Sequence, residues 1–258
     1  MINLIPMAGE GRRFINEGHL CPKPLIEVSG KPMVIQAAQS LPEANRWVFV
    51  CRREHIRDYH IDELLKRHFP AAEIIAIDRL TSGQASTCLL AQGIIGDNDE
   101  LLIGPCDSAA IWDKDKYRGL VSGGQIDALI WTFRNNAAVK RYPRMYGWVK
   151  TDSNDNVSGV SCKVPLSDNP LKDHAIIGTF YFKKAAYFFN AVKQMIAKDR
   201  KINNEFYIDE AMNEAIGSGL RVKVFEVDKY IGWGTPNDLK VYQYWESYFN
   251  KRYEENLR

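Results

Sequence analysis

Residues 2–14 read Ile-Asn-Leu-Ile-Pro-Met-Ala-Gly-Glu-Gly-Arg-Arg-Phe. A short, mostly apolar run that leads directly into a glycine-rich segment is typical of a buried strand that continues into a loop. The two glycines permit a tight turn whose backbone amides point into one space, and such a turn can bind an anion. Arg12 and Arg13 add guanidinium groups, which bind phosphate oxygens in pairs. The stretch therefore predicts a strand followed by an anion-binding loop.

Two well-known phosphate-binding loops do not match this segment. The dinucleotide-binding motif needs a third glycine at the position of Phe14, where a helix should open, and the following Asn16-Glu17-Gly18 also argues against it. The seven-residue Walker loop is absent as well. Taken alone, the segment is equally typical of a plain turn between a strand and a helix.

The rest of the first half alternates apolar runs with helical patterns. We predict strands at residues 47–50, 74–77 and 101–104, and helices at residues 33–38, 54–68 and 85–95. This alternation favours a predominantly parallel sheet with helices on both faces and right-handed crossovers.

The second half has a different pattern. We predict strands at residues 128–133, 146–151, 157–164, 176–182 and 221–227, and helices at residues 184–197, 208–218 and 236–253. The turn-forming residues 152–156 indicate a hairpin, and hence an antiparallel addition. We therefore expect an α/β fold with a mixed, mainly parallel central sheet, in a single domain over residues 1–258. The aromatic residues of the last helix are expected to pack it onto the body, with a subunit contact as the alternative.

Composition excludes several classes of protein. The 258 residues are 45% apolar and carry a formal net charge of +2, so no basic excess indicates nucleic-acid binding. No apolar run approaches the roughly 18 residues of a membrane span, and the N-terminus does not resemble a signal peptide. Five dispersed cysteines argue against a disulfide framework and a zinc site. We expect a cytoplasmic protein, and a homo-oligomer is left open.

A second segment places a lysine between two prolines, in Cys21-Pro22-Lys23-Pro24-Leu25. Prolines fix the backbone and reduce the freedom that is lost when a side chain is held at a site. This favours a functional role for Lys23 over an exposed loop lysine. For Lys31, in Gly30-Lys31-Pro32, an exposed loop lysine without a functional role is the favoured interpretation.

Seven motifs, spread in order over most of the chain, are specific together although no single one is. They are residues 9–14, Pro22-Lys23-Pro24-Leu25, Gly30-Lys31-Pro32, Gly83-Gln84-Ala85, Asp107, residues 177–182 and Gly234-Thr235-Pro236. In these motifs the sequence resembles the nucleotidyltransferases that make activated sugars or alcohols from a nucleoside triphosphate and a phosphorylated substrate. The resemblance implies a Rossmann-like, GT-A-type fold. It also implies a nucleotide-binding half at residues 1–125, an acceptor-binding half at 126–235 and a C-terminal helix at 236–258.

The resemblance also implies a role for each matched residue on the nucleotide side. Lys23 would neutralise charge on the α-phosphate as it is attacked. The residues implied to surround the triphosphate and the base are Ala8, Gly9, Gly11, Arg13, Gln84 and Ala85. Arg13, Lys23 and Asp107 would form the catalytic set.

Asp107 is the implied ligand of Mg²⁺. It follows the predicted strand at residues 101–104, and ligands of an open parallel sheet gather at the carboxyl ends of strands. Its oxygens suit magnesium, which keeps several waters and bridges substrate phosphates. The alternative for a single aspartate in this position is a turn or a helix cap. On the acceptor side, Gly178 and Glu205 are the implied contacts, and for Glu205 a helix-capping role is the alternative.

One position departs from the pattern that the resemblance implies. Many members carry a second metal-binding aspartate two residues before the glycine of Gly-Thr-Pro, where this chain has Gly232. Asp209 and Asp228 are nearby, but no motif assigns either. Trp148 and Trp233 are interpreted as core residues, with walls of the acceptor pocket as the alternative.

The expected partners are a nucleoside triphosphate and a phosphorylated small molecule, which we take to be a sugar 1-phosphate for surface polysaccharide synthesis. A non-sugar acceptor, such as phosphocholine or a phosphorylated amino-acid derivative, stays open. Two rivals are a glycosyltransferase of related fold and a nucleotide sensor without activity. A glycosyltransferase normally holds its metal with an acid-x-acid pair, which the residues around Asp107 lack.

Overall fold

The structure is a computed structural model that describes residues 1–256, and the side chains of residues 1–253. Its strands are β1 (Ile2–Pro6), β2 (Glu27–Val28), β3 (Lys31–Pro32), β4 (Arg46–Arg52), β5 (Ala72–Ile77), β6 (Leu101–Ile103), β7 (Ser108–Ile111), β8 (Ala128–Phe133), β9 (Gly147–Thr151), β10 (Val157–Cys162), β11 (His174–Phe182), β12 (Val222–Glu226) and β13 (Lys229–Gly232). Its α-helices are α1 (Arg12–Asn16), α2 (Met33–Gln39), α3 (Arg53–Tyr59), α4 (Ile61–His68), α5 (Gln84–Leu89), α6 (Lys114–Ser122), α7 (Ala138–Arg141), α8 (Ala185–Ala197), α9 (Ile208–Gly217) and α10 (Pro236–Asn256).

Nine of the strands form one mixed sheet. The path β10-β9-β11-β6-β1-β4-β5 is extended by β8, which pairs with β11, and by β12, which pairs with β8. The strands β5, β4, β1 and β6 run parallel, as the alternation in the first half predicts. β11 is antiparallel to β6, β8 and β9. The predicted mixed α/β sheet with an antiparallel addition is confirmed.

Both faces of this sheet are covered, which explains why its central strands are apolar throughout. Successive side chains of a strand point to opposite faces. Leu4 of β1 belongs to a core cluster that includes residues of α5, α8 and α9. Its neighbour Ile5 belongs to a second cluster, which includes residues of α2, α4 and α6. Leu4 and Ile5 are both fully buried.

The parallel pairing of β1 with β6 determines where loops meet. Ile2 lies opposite Leu101 and Leu4 lies opposite Ile103, so the two strands end at the same edge. The glycine loop follows β1, and Asp107 follows β6. The fold thus brings these two separate segments of the chain side by side.

β11 has a gap in its pairing on one edge. His174 and Ala175 pair with β9, whereas Phe180, Tyr181 and Phe182 pair with β6. Gly178 lies inside this gap with a φ of 88°, a conformation that favours glycine. The sheet therefore opens between β9 and β6.

The last helix contacts the body with only part of its surface. Leu239 is buried, in a cluster with Phe14 and Trp233, and Tyr242 is half-buried beside them. Five aromatic residues further along α10 are exposed, namely Tyr244, Trp245, Tyr248, Phe249 and Tyr253. The expectation that the aromatic residues pack this helix onto the body is therefore wrong for Tyr244, Trp245, Tyr248 and Phe249, because these exposed rings contact one another along the helix. No helix within residues 1–256 is both long and apolar enough to cross a membrane.

Candidate active site

The carboxyl edge of the parallel strands holds a cavity of about 340 Å³, which we call the glycine-loop cavity. It lies between the glycine loop, the loop that carries Asp107 and the segment that leads into α5. Of the predicted site residues, those that line it are Ala8, Gly9, Gly11, Lys23, Gln84, Asp107 and Glu205.

The glycine loop presents unpaired backbone amides. Within the described part of the chain, none of the amide N–H groups of residues 8–13 donates a hydrogen bond. Gly11 adopts a φ of 66°, and a Cβ there would lie 3.0 Å from Cβ of Lys23. Successive free amides around a left-handed residue form a concave site for an anion. The loop is thus suited to hold a phosphate group while packing directly on Lys23.

Lys23 reaches the wall of this cavity from a short 3-10 turn that begins at Lys23 itself. Its side chain is 18% exposed, and Nζ donates a hydrogen bond to Oδ2 of Asp107. Burial opposes the charged form, but the carboxylate of Asp107 outweighs it, so the pKa of Lys23 is raised above its ordinary value. Lys23 is therefore a positively charged group inside the cavity at neutral pH.

Asp107 offers one carboxylate oxygen to the cavity. Oδ2 accepts from Lys23, whereas Oδ1 has no hydrogen-bond partner among the described side chains. The preceding Cys106 lines the same cavity, and burial raises the pKa of its thiol to about 12. The thiol is neutral at physiological pH and is not an activated nucleophile.

Gln84 and Ala85, predicted together as nucleotide contacts, differ in their positions relative to the glycine-loop cavity. Gln84 lines the cavity. Ala85 is fully buried, and its amide donates to the carbonyl of Phe206 at 3.0 Å. Ala85 thus lies beneath the cavity surface and attaches the start of α5 to the segment that carries Glu205.

A second cavity of about 250 Å³, which we call the Asp209 cavity, opens at the gap in β11. Lys23, Gln84 and Asp107 line both cavities, so they form the wall between them. Arg13 and Gly178 also line the Asp209 cavity. Arg13 therefore faces this cavity rather than the glycine-loop cavity. Conversely, Glu205 lies in the glycine-loop cavity and is separated from Gly178.

Three charged residues of the Asp209 cavity were not assigned by the sequence motifs, namely Lys163, Asp209 and Asp238. Asp209 is 9% exposed, and burial raises the pKa of its carboxyl although Lys163 opposes the shift. A Cβ on Gly147 would lie 2.1 Å from Oδ2 of Asp209, so only glycine fits beside this carboxylate. Nζ of Lys163 donates to the carbonyl of Met145 at 2.6 Å. Nothing in the sequence indicated Lys163, and Asp209 was named only as a nearby acid, because the proximity of these two residues depends on the packing of α9 against β10.

The structure also places the residues at which the sequence departs from the pattern. A Cβ on Gly232 would lie 2.8 Å from the hydroxyl oxygen of Tyr230, so Tyr230 occupies the space of a side chain at position 232.

Trp148 is fully buried and Trp233 is 3% exposed. Both tryptophans therefore belong to the core, as interpreted, and neither lines a described cavity.

The acidic residues fit magnesium held partly by a substrate, and they do not form a cage. Within the described residues, no group of three or more His, Cys, Asp or Glu side chains is placed to hold a metal ion. Magnesium commonly uses one or two carboxylates together with waters and substrate phosphates. The unpaired Oδ1 of Asp107, which faces a cavity lined by free amides, matches that requirement.

Comparisons with known proteins bear on the fold. No protein-family model matches the sequence. No curated protein matches it either. Among solved structures, a nucleoside-diphosphate-sugar pyrophosphorylase from Vibrio cholerae RC9 is 20% identical with a TM-score of 0.76, over 94% of this chain and 99% of that one. An inositol-1-phosphate CTP transferase from T. maritima is 14% identical with a TM-score of 0.72, over 94% of this chain and 93% of that one.

The chain has a nucleotidyltransferase fold. A UDP-glucose pyrophosphorylase, solved with UDP-glucose, extends the same likeness, at 18% identity and a TM-score of 0.73 over 97% of this chain and 98% of that one. These alignments cover nearly the whole chain, so the nucleotidyltransferase fold includes both cavities and the sheet that positions them. The fold expected from the sequence motifs is confirmed.

Proposed function

We propose that the protein is a nucleotidyltransferase, which joins a nucleoside triphosphate to a phosphorylated acceptor and releases pyrophosphate. The observation that carries the proposal is the Lys23–Asp107 pair in the wall shared by two cavities. The glycine-loop cavity, with its free amides, suits the triphosphate. The Asp209 cavity, with Arg13 and Lys163, suits a second phosphate-bearing molecule. Two phosphates would then meet at Lys23.

The reaction needs no general base. The second pKa of a phosphate monoester is about 6, so the acceptor phosphate is largely ionised near neutral pH. Its oxygen attacks the α-phosphorus, a new P–O–P bond forms, and the bond to the β-phosphate breaks to release pyrophosphate. The barrier lies in bringing two polyanions together and in stabilising the charge on the reacting phosphoryl group. Lys23 supplies a positive charge at that point, and the amides of residues 8–13 hold the leaving group.

Asp107 would hold Mg²⁺ through Oδ1, and the bound ion would neutralise charge on the triphosphate oxygens. With the nucleotide absent, Lys23 and Asp107 neutralise each other. When a triphosphate enters, Lys23 can turn from the carboxylate to the α-phosphate while Asp107 stays in the wall. The pair thus keeps two opposite charges ready without leaving either one unpaired.

The acceptor is assigned to the Asp209 cavity. Gly178 lies at the gap in β11 and leaves room for the acceptor, while Arg13 and Lys163 are placed to bind its phosphate. Glu205 is exposed on the rim of the glycine-loop cavity, where its carboxylate can accept hydrogen bonds from ribose hydroxyls. We therefore move the proposed role of Glu205 from the acceptor to the nucleotide. We also assign Gln84, which lies at the boundary between the two cavities, and Ala8, at the floor of the glycine-loop cavity, to binding of the nucleotide.

The wider setting is part of the proposal. A sugar 1-phosphate acceptor, a role in surface polysaccharide synthesis and a cytoplasmic location agree with one another. The sugar-nucleotide pyrophosphorylases among the structural neighbours support the first of these. Because another structural neighbour is an inositol-1-phosphate CTP transferase, the test described below also includes non-sugar acceptors. That the protein forms a homo-oligomer stays a prediction, and sedimentation velocity would measure its oligomeric state.

The test is a matrix of ATP, CTP, GTP, UTP and dTTP against phosphorylated acceptors, with pyrophosphate release as the readout. Acceptors would include hexose 1-phosphates, N-acetylhexosamine 1-phosphates, inositol 1-phosphate and phosphocholine, each with Mg²⁺. We expect one triphosphate and one acceptor class to give pyrophosphate in amounts equal to the joined product. Binding of triphosphate without pyrophosphate release in the whole matrix would contradict the proposal and favour a sensor. Consumption of a nucleotide-sugar without pyrophosphate would favour a glycosyltransferase.

A further inference from the structure

A third cavity, of about 540 Å³, adjoins the proposed acceptor site, and we call it the tyrosine cavity. It lies among α7, β13 and the first turns of α10. Its walls include four tyrosines, namely Tyr142, Tyr146, Tyr230 and Tyr242. Four residues line both this cavity and the Asp209 cavity, namely Met145, Tyr146, Tyr230 and Asp238. The two cavities are therefore neighbours across one shared wall.

The direction of the acceptor follows from the proposed function, on which this inference rests. The acceptor phosphate must approach Lys23 at one end of the Asp209 cavity. The rest of the molecule then points away from Lys23, toward the shared wall. The Asp209 cavity, at about 250 Å³, is smaller than typical small-molecule sites of roughly 300–1,000 Å³. An acceptor that fills the available space therefore extends into the tyrosine cavity.

Two of the aromatic rings that line the tyrosine cavity, those of Tyr230 and Tyr146, are held by contacts with other rings. The ring of Tyr230 stacks on Phe133 with centroids 4.4 Å apart and an interplanar angle of 8°. Tyr146 meets Tyr230 edge-on at 6.4 Å. Rings that are held in this way keep their orientation and offer flat apolar faces to C–H groups of a ligand. The cavity is suited to an apolar group of defined shape.

The charges that line the cavity balance each other. The guanidinium of Arg141 lies over the ring of Tyr142, 5.4 Å from its centroid. The carboxylate of Asp238 accepts a hydrogen bond from Oγ1 of Thr235 at 2.6 Å. These two residues are the charged ones in the lining, one positive and one negative. An uncharged extension of the acceptor fits this lining better than a phosphate, a carboxylate or an ammonium group.

Two side-chain amides in the lining have hydrogen-bonding capacity to spare. Oδ1 of Asn136 accepts from the amide of Ala138 at 3.0 Å, while its Nδ2 has no partner among the described side chains. Asn237 makes no side-chain hydrogen bond with a described residue, and it lines the same cavity. Free carboxamides beside aromatic faces suit a ligand group that combines a carbonyl with a small apolar end.

We propose that the acceptor is a phosphorylated sugar with an acylamino substituent, and that the tyrosine cavity takes the acyl group. The acyl methyl or alkyl end would pack on the tyrosine rings, and the carbonyl oxygen would accept a hydrogen bond from Asn136 or Asn237. The shared wall of Tyr146 and Tyr230 would contact the sugar ring itself. The tyrosine cavity is thus the specificity-determining part of the acceptor site.

The test compares the kcat/KM of hexose 1-phosphates with that of their acetamido derivatives, substituted at ring position 2, 4 or 6. We expect at least one acetamido sugar to be used about tenfold better than its unsubstituted parent, which is the range for filling one small apolar pocket. A second measurement uses Val241→Trp, which places a large ring at the cavity. Val241 lines the cavity and is 47% exposed, so the substitution removes no core contact.

We expect Val241→Trp to raise the KM of the preferred acetamido sugar by about tenfold and to leave the KM of the unsubstituted parent unchanged. Tyr244→Trp is the matched control, since Tyr244 lies on the same helix, is 66% exposed and does not line the cavity. Equal use of parent and acetamido sugars, a preference for phosphocholine or inositol 1-phosphate, or an equal effect of Val241→Trp on both sugars would each overturn this inference. Those outcomes leave the proposed function standing. If none of the acceptors supports pyrophosphate release, both the proposed function and this inference are overturned.

Discussion

The proposed catalytic role of Lys23 can be tested by a single substitution. Its ammonium group lies between the two proposed substrate sites and packs over the ring of Phe14, 5.6 Å from the centroid. We expect Lys23→Ala to lower kcat at least about a hundredfold, on the order of 3 kcal/mol of transition-state stabilisation. Steady-state rates of pyrophosphate release measure this.

Lys31→Ala is the matched control for that measurement. Lys31 belongs to the same N-terminal segment, but its Nζ donates to Oε1 of Gln39 on the surface at 2.8 Å. We expect its kcat to stay close to that of the unaltered protein, as the sequence already indicates for an exposed lysine. A Lys23→Ala enzyme with near-normal turnover, or an equal loss in Lys31→Ala, would remove Lys23 from the mechanism.

Asp107 can be tested without any turnover, through the stability that a bound ligand adds. Ligands that bind only the folded state raise the unfolding temperature. We expect the preferred triphosphate to raise it more with Mg²⁺ than with EDTA, and we expect Asp107→Asn to abolish that difference. Asp113→Asn serves as control, because Asp113 caps α6 through the amides of Asp115 and Lys116. A magnesium effect that survives in Asp107→Asn would mean that other groups hold the ion.

Among the elements, the start of α5 is the one most tightly constrained by backbone packing. Gly83 precedes α5 with a φ of 124°, and a Cβ there would lie 2.5 Å from the amide nitrogen of Phe206. The neighbouring hydrogen bond from the amide of Phe206 to the carbonyl of Ser82, at 2.7 Å, holds the two segments together. This contact keeps Gln84 and Glu205 on the same cavity.

We expect Gly83→Ala to lower the free energy of unfolding by at least about 2 kcal/mol, because both the φ value and the backbone contact disfavour a side chain. Gly93→Ala is the control, since a Cβ at Gly93 meets no atom within 4 Å and its φ is not positive. Urea denaturation of the two variants compares them directly. Equal free energies of unfolding for the two variants would show that residues 83 and 206 can move apart without a loss of stability.

Elements with strong local signals could be predicted, and those that depend on single residues could not. The strands of the parallel half were found because they are continuous apolar runs. The segment 54–68 was predicted as one helix, but His60 adopts a φ of 50° and divides it into α3 and α4. The helical spacing of apolar residues continues across that break, so the periodicity alone carries no sign of it. Likewise, the spacing in α10 does not reveal which aromatic residues have a neighbour.

At the scale of the whole molecule, the sequence predicted segments that the fold brings together, but not how their residues divide between two cavities. The motifs around Lys23 and Asp107 indicate phosphate chemistry, and the parallel strands bring them to one edge. The division into cavities depends on side-chain direction, which no motif encodes. For this reason Arg13 lines the Asp209 cavity and Glu205 the glycine-loop cavity, Lys163 was missed, and Asp209 was named without a role.

Whole-molecule stability should depend on pH through a buried histidine at the centre of the second half. His174 begins β11 and is 7% exposed, and its Nδ1 shares a hydrogen bond with Oγ1 of Thr132 on β8 at 2.9 Å. Burial, and then the charge of Arg134, lowers the pKa of His174 below its ordinary value, although Glu226, Asp155 and Asp173 oppose the shift. The folded protein therefore binds this proton less readily than the unfolded chain, whose histidines titrate near about 6.5.

Since the unfolded state takes up the proton first, His174 stabilises the fold fully above about pH 6.5 and loses that contribution as the pH falls below it. We expect the free energy of unfolding to drop by up to about 1.4 kcal/mol per pH unit on this account, and we expect His174→Gln to flatten the profile between about pH 5 and 6.5. His55, whose pKa is also lowered, by burial, contributes in the same direction, so a slope will remain. His60→Asn, at a largely exposed position, should leave the profile unchanged. Urea denaturation at several pH values measures these slopes, and a His174→Gln profile as steep as that of the unaltered protein would show that protonation of His174 does not weaken the fold.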